Sequence, residues 1–227
     1  MSQSTGDRQV IPLDENFFCD GHYYVLTSAS LGGSGRSPAE VSEILGQGDA
    51  DGITGLLWEG VCLPLCFDGD CALDQKTLIV VGDLTPEEAR DWIGRLRWKL
   101  NIPCGKLVIL CGGGDADEFA EAVSGVPPRP NYQIFQAIAV PPGDYLLEIY
   151  AYLSSMTVQM TLSEYDEHWN EIEHVELREW YETHQPGQED IGYIIRLAPL
   201  QEIPPVPTLD PEMGWCGFFE FRRPPDL

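Results

Sequence analysis

The sequence predicts an α+β fold, and three observations carry that prediction. Of its 227 residues, 43% are apolar and 10% are aromatic, which is enough to build a buried core. The first half mixes helix-capping sequences with continuous apolar segments, whereas the second half alternates polar and apolar residues. We therefore expect a mixed sheet with two or three helices, followed by a mainly antiparallel, β-sandwich-like domain.

A proline-rich segment separates these two patterns. Residues 126–130 read Val-Pro-Pro-Arg-Pro, a composition typical of a stiff linker. We predict an α/β-type N-terminal part at 1–125 and a β-rich C-terminal part at 131–227. The second part contains an acidic insertion at 162–190. The sequence alone leaves open whether the two parts share one core.

Two sequences in the first half carry helix-capping signals. Ser37 is followed by proline and, three residues after the cap, by Glu40, which predicts a helix as far as Leu45. Thr85 begins a second sequence of this kind. A helix at 86–100 is expected because apolar residues recur there at a helical spacing, at Ala89, Trp92, Ile93, Leu96 and Leu100.

Continuous apolar segments in the first half predict strands. They lie at 22–28, 53–58, 61–67, 77–82 and 106–111. We expect 53–58 and 61–67 to pair as a hairpin around Glu59 and Gly60. The helix predicted between 77–82 and 106–111 is long enough for a parallel crossover connection. A further helix is expected at 115–124.

Alternating segments in the second half predict about five more strands. They lie at 132–140, 145–153, 156–162, 191–197 and 215–221. Residues 141–144, Pro-Pro-Gly-Asp, predict a turn between the first two. Together these segments are sufficient for a small sandwich or a curved sheet.

Charge is the strongest functional signal in the sequence. The chain has 37 acidic and 13 basic residues, a formal net charge of −24. Nucleic acid and anionic membranes carry charge of the same sign, so we expect neither as a direct partner. A basic protein is the partner that this charge favours, because the field of the chain attracts cations and accelerates their association.

The acidic residues are concentrated in one region, which we predict to be the binding surface. Twelve acidic residues lie between Asp144 and Asp190, against Arg178 alone. Such a segment stays in solvent, and aromatic residues placed among its acids are typical of a protein interface. The predicted partner-binding residues are Glu164, Tyr165, Asp166, Glu167, Trp169, Glu171, Glu173, Glu176, Glu179 and Trp180.

Enzymatic and metal chemistry have weaker support in the sequence. Glu171 and His174 stand three residues apart and would share one face of a helix, near Asp166, His168 and His184. Only one such pair is present, and the His-Glu-x-x-His pattern of zinc enzymes is absent from the sequence. The glycine-rich turns at 32–35 and 112–114 lack the spacing of nucleotide-binding loops. We therefore expect a non-enzymatic protein with no catalytic residue, no metal and no cofactor.

The cysteines indicate the cellular location of the protein. Seven are present, an odd number, and the first residues lack the apolar core of a secretion signal. We accordingly expect reduced thiols and a cytoplasmic location. Since no apolar run reaches 18 residues, no membrane span is expected.

Two resemblances to bacterial families add to these predictions. Residues 25–33, Val-Leu-Thr-Ser-Ala-Ser-Leu-Gly-Gly, and residues 78–83, Leu-Ile-Val-Val-Gly-Asp, resemble immunity proteins of polymorphic toxin systems. Residues 138–150, Ile-Ala-Val-Pro-Pro-Gly-Asp-Tyr-Leu-Leu-Glu-Ile-Tyr, resemble the competence-nuclease inhibitor family, in which a Pro-Gly-x-Tyr turn joins two strands. The resemblances imply a non-enzymatic inhibitor of a toxin, such as a nuclease. The acidic insertion departs from the family pattern, and no site residue is carried over.

Three functions are compatible with the sequence. The first is an immunity protein or nuclease inhibitor that blocks a basic partner. The second is a cytoplasmic adaptor whose β-rich part docks another protein without any nuclease target. The third, less favoured, is a metal-dependent hydrolase. The oligomeric state does not follow from the sequence.

Overall fold

A computed structural model describes residues 8–73, 76–130, 132–165, 171–211 and 214–224, and for residues 164, 165, 171 and 172 it describes the backbone alone. The α+β prediction is confirmed. The helices are α1 (Pro38–Gln47), α2 (Ala50–Glu59), α3 (Pro86–Asp91), α4 (Ala116–Val123), α5 (Met156–Leu162) and α6 (Val175–His184). The strands are β1 (Gln9–Pro12), β2 (Tyr23–Ser28), β3 (Cys62–Cys66), β4 (Thr77–Val81), β5 (Gly94–Ile102), β6 (Lys106–Cys111), β7 (Phe135–Ala139), β8 (Gly143–Ala151), β9 (Ser163–Tyr165), β10 (Glu171–Glu173), β11 (Tyr193–Pro199) and β12 (Glu220–Phe221).

Two sheets form the body of the protein. The larger has six strands in the order β1-β4-β11-β8-β5-β12, and the smaller has four in the order β3-β2-β6-β7. β4 and β11 are parallel, whereas the other neighbouring pairs are antiparallel. The ring of Phe67 lies between the sheets, 5.5 Å from Tyr24 of β2 and 5.5 Å from Tyr193 of β11. The inner faces of both sheets therefore bury one apolar core.

Strands from both sides of the segment 126–130 pair with each other. β5 pairs with β8, β4 pairs with β11, and β6 pairs with β7. The main cluster of buried apolar side chains also includes residues from both halves. Residues from both predicted parts thus contribute to one core. The boundary between the parts at 126–130 stays a prediction.

The segment 53–58 is helical, so the predicted hairpin with 61–67 is wrong. It belongs to α2, where the Asp49 side chain accepts hydrogen bonds from the backbone N–H groups of Asp51 and Gly52. Ile53, Leu56 and Leu57 are buried, a spacing that places them on one helical face. A short apolar run satisfies a strand and a buried helix equally well, and here the N-terminal cap decides for the helix.

The helix predicted at 86–100 ends at Asp91, and the rest of that segment is strand β5. Trp92 has extended backbone angles. From Gly94 onward buried and half-buried residues alternate, with Leu96, Trp98 and Leu100 facing the core. Leu96 and Leu100 are four residues apart, which fits a helix and a strand alike. The parallel crossover is also wrong, because β4 and β6 belong to different sheets.

Of the strands predicted in the second half, the one at 156–162 is absent and the one at 215–221 is shorter. Residues 156–162 form α5, whose first turn is capped by the Ser155 side chain accepting from the N–H of Val158. Within 215–221, only β12 pairs as a strand, with the start of β5. The remaining predicted strands of the second half correspond to β7, β8 and β11.

The prediction that all seven thiols are reduced is wrong, because Cys19 and Cys111 form a disulfide. Their Cα atoms are 5.2 Å apart, and 92 residues separate them along the chain. The bond ties the segment before β2 to the end of β6. The other five cysteines form no disulfide; they are Cys62, Cys66, Cys71, Cys104 and Cys216. Burial raises the pKa values of the Cys62 and Cys216 thiols, which therefore stay protonated.

Bilayer-spanning helices are absent from the part of the chain that the structure describes. The longest helices have ten residues, about half the length that a bilayer core requires.

Candidate protein-binding surface

Helix α6 presents an acidic outer face. Glu176, Glu179 and Glu182 are exposed and recur at a spacing of three residues, which places them along one side of the helix. The opposite side holds Leu177, which is half-buried, and Tyr181, which is buried. The helix is thus anchored by its apolar side and exposes a row of carboxylates. We call this row, with Glu173 just before the helix, the acidic face.

The one basic residue of the insertion does not neutralise this face. Arg178 is half-buried and donates from Nη1 to Oε1 of Gln159 on α5, at 3.0 Å. Its Nη2 lies 3.6 Å from a carboxylate oxygen of Glu173. Among the residues described, Glu176 and Glu179 have no ion pair. The carboxylates of these two residues therefore remain available to a cation from outside.

The predicted partner-binding residues fall into four groups. Glu173, Glu176 and Glu179 are exposed. Trp180 is half-buried, and its ring stacks on His184 at a centroid distance of 4.6 Å. The backbones of Glu164, Tyr165 and Glu171 lie in the β9–β10 hairpin, where Glu171 pairs with Tyr165. Asp166, Glu167 and Trp169 lie outside the described residues. The assignment of all ten residues to a partner surface stays a prediction.

One aromatic residue of the insertion has a structural role. Burial raises the pKa of Tyr181, so its hydroxyl stays protonated. That hydroxyl donates to the backbone carbonyl of Arg222 at 2.6 Å. Tyr181 therefore attaches α6 to the C-terminal segment that contains β12 and is not presented to a partner.

A cavity of about 570 Å³ opens beside the acidic face, between α6 and the C-terminal segment. We call it the α6 cavity. Its lining is Thr161, Glu173, His174, Val175, Glu176, Leu177, Tyr181, Phe221, Arg223 and Pro224. This cavity could not be predicted from the sequence, because one wall comes from 221–224, about forty residues after α6. No local pattern signals such a contact.

Arg222 fastens the C-terminal wall of the cavity to the rest of the protein. Its guanidinium lies 3.5 Å from the centre of the Trp92 ring. Nη1 donates to the carbonyl oxygen of Arg90 at 2.7 Å, and Nη2 donates to that of Ala89 at 3.2 Å. These contacts join the segment after β12 to the end of α3.

Replacing Arg222 by Ala should lower the free energy of unfolding by about 2 kcal/mol, because a cation–π contact with the buried Trp92 ring and two charge-assisted hydrogen bonds are lost. Urea unfolding followed by tryptophan fluorescence measures the change. The matched control is Arg223→Ala, since Arg223 is exposed and has no hydrogen bond or ion pair among the described residues. A loss no larger than that of the control would contradict the fastening role.

Among the described residues, no three His, Cys, Asp or Glu side chains are grouped so that they could hold an ion. Asp166 and His168 of the candidate metal set lie outside the described residues. The proposed helical face of Glu171 and His174 is wrong, because Glu171 belongs to strand β10 and His174 precedes the first residue of α6.

The fold is thus an α+β sandwich with an acidic helix and a partly apolar cavity at its surface. No family model matches the chain, and no curated protein matches it. Two solved structures are similar to it. "Crocagin biosynthetic gene J" has a TM-score of 0.41 and 19% identity, over 86% of this chain and 96% of that one. ComJ of Bacillus subtilis, inhibitor of the DNA-degrading activity of NucA, has a TM-score of 0.30 and 9% identity, over 85% and 95%.

Both TM-scores lie below 0.5, so neither likeness supports a statement about function. ComJ is a nuclease inhibitor, the kind of protein that residues 138–150 resemble, and its similarity to this chain is low. The resemblance of 25–33 and 78–83 to immunity proteins stays a prediction.

Proposed function

We propose that this chain is a non-enzymatic binding protein that blocks a basic partner with the acidic face of α6. The observation that carries the proposal is the row of exposed carboxylates on an anchored helix. Glu176 and Glu179 of that row are unpaired within the described residues, in a chain of net charge −24. A surface of this kind binds cations with fast association and strong salt dependence.

The class of partner that fits this face is a nuclease. Nucleases hold polyanions in basic clefts, and a rigid acidic helix presents charges in place of phosphates. Carboxylates three residues apart on a helix are separated by about 4.5 Å along its axis. This axial spacing is comparable with the roughly 3.4 Å of helix axis per phosphate on one strand of DNA. The nuclease target itself rests on the resemblance of 138–150 to nuclease inhibitors.

Charge reversal on the acidic face should abolish partner binding and leave the fold intact. In the variant Glu173→Lys/Glu176→Lys/Glu179→Lys, the attraction to a basic cleft becomes repulsion. The measurement is capture from a lysate of the source cell on immobilised protein at low salt, followed by a salt gradient and mass spectrometry. Wild-type protein should retain a basic nuclease that elutes as the salt concentration rises.

The control variant is Asp20→Lys/Glu43→Lys/Glu202→Lys, which changes the net charge equally at three exposed sites elsewhere. It should retain the same nuclease. If the α6 variant retains the nuclease as well as the control does, the acidic face is not the binding surface. If no basic protein elutes from the wild type, the adaptor function takes its place.

A further inference from the structure

The α6 cavity is partly apolar, although it adjoins the most acidic part of the chain. Val175, at the start of α6, is 51% exposed. Leu177 and Phe221 are half-buried in the same lining. A volume of about 570 Å³ lies within the range of sites that take a bulky side chain or a small ligand. Leu177 and Phe221 pack against the core, whereas Val175 leaves apolar surface exposed at the rim that an apolar group from outside would cover.

The charges around the cavity determine which occupant fits. Glu173 and Glu176 lie on the α6 side, and Arg223 lies on the opposite wall. Glu176 has no ion pair within the described residues, whereas a carboxylate oxygen of Glu173 lies 3.6 Å from Nη2 of Arg178. A cation bound at this rim therefore sits on the α6 side, close to Glu176 and away from Arg223.

We infer that the α6 cavity is a socket for one bulky apolar side chain of the basic partner, next to a lysine or arginine that pairs with Glu176. This inference rests on the proposed function and adds to it the source of specificity. Carboxylates alone attract any basic protein, whereas an apolar socket beside them distinguishes partners by shape. In interfaces of this type, one buried anchor side chain provides much of the affinity, and the charges around it provide the rate.

Two short peptides of equal charge distinguish binding through the socket from binding through charge alone. The probes are Lys-Lys-Phe-Lys-Lys and Lys-Lys-Ala-Lys-Lys, titrated into ¹⁵N-labelled protein and followed by amide chemical shifts. The phenylalanine peptide should bind at least roughly tenfold more tightly than the alanine peptide, because burial of its ring adds to an equal electrostatic attraction. Its shift changes should centre on Val175, Leu177 and Phe221.

A matched pair of valine variants tests the location. Val175→Gln removes the apolar rim without changing charge, and Val126→Gln is the control at a valine that is 57% exposed on another surface. Val175→Gln should abolish the preference for phenylalanine, and Val126→Gln should preserve it. Both residues are exposed, so both variants should fold, which thermal melts verify.

The outcomes separate the socket from the proposed function. Equal affinity for the two peptides, with shifts confined to α6, overturns the socket and leaves the acidic binding face in place. Binding of neither peptide overturns the socket, while retention of a nuclease in the capture experiment would still support the proposed function. A cavity occupied by a second copy of this chain also overturns it, and appears as self-association that Val175→Gln weakens.

Discussion

Reduction of the Cys19–Cys111 disulfide should lower the free energy of unfolding by about 4 kcal/mol. The bond joins residues that are 92 positions apart, and a cross-link across so long a loop strongly restricts the unfolded chain. Urea unfolding with and without dithiothreitol measures the difference. We expect a lower midpoint in the reduced protein.

The variant Cys19→Ala/Cys111→Ala is the control for other effects of the reductant. It lacks the bond and keeps the other five cysteines, so its midpoint should be low and identical in both buffers. Equal midpoints for oxidised and reduced wild-type protein would contradict a stabilising role of the disulfide. Because reducing compartments rarely preserve such bonds, the presence of this disulfide does not favour the cytoplasmic location expected from the sequence.

Replacement of Arg196 by Met should destabilise the protein by about 3 kcal/mol. Glu148 of β8 is 3% exposed on the outer side of the six-stranded sheet. Nη1 of Arg196, on the neighbouring strand β11, donates to its carboxylate at 2.7 Å. Loss of one partner leaves a buried charge whose nearest remaining arginine, Arg95, is 3.9 Å away. Urea unfolding measures the loss.

Two further variants test whether the burial of Glu148 causes this loss of stability. Arg36→Met removes a surface arginine whose two hydrogen bonds to Glu59 are exposed, and it should cost less than about 1 kcal/mol. Arg196→Met/Glu148→Leu removes both charges of the buried pair and should recover much of the loss. Similar losses for Arg36→Met and Arg196→Met would show that burial of Glu148 does not determine the effect.

Local signals predicted the parts of the fold that local interactions determine. The capping boxes at Ser37 and Thr85 form as expected, with each side chain accepting from the N–H group of the third residue after it. Strands with continuous apolar sequence, such as β4 and β6, also lie where predicted. The errors at 53–58 and 92–100 occur where the apolar spacing fits a helix and a strand equally well. There, the tertiary environment makes the choice.

Of the candidate site, only the negative charge could be predicted from the sequence. Composition identified the acidic insertion, and the exposure of Glu176 and Glu179 agrees with a solvated surface. The α6 cavity depends on contacts that sequence spacing does not encode, such as the hydrogen bond from Tyr181 to the carbonyl of Arg222. The disulfide was missed for the same reason, since an odd number of cysteines says nothing about which two lie adjacent in space.

The position of β11 has a consequence for biosynthesis. This strand lies between β4 and β8, yet it occupies residues 193–199 of the chain. Until the ribosome has released that segment, β4 and β8 each expose an open strand edge to other nascent chains. The sheet therefore closes late, with pairings between residues far apart in sequence, which makes folding slow and sensitive to crowding by like molecules. A molecular chaperone that shields strand edges during translation should accordingly increase the yield of native protein.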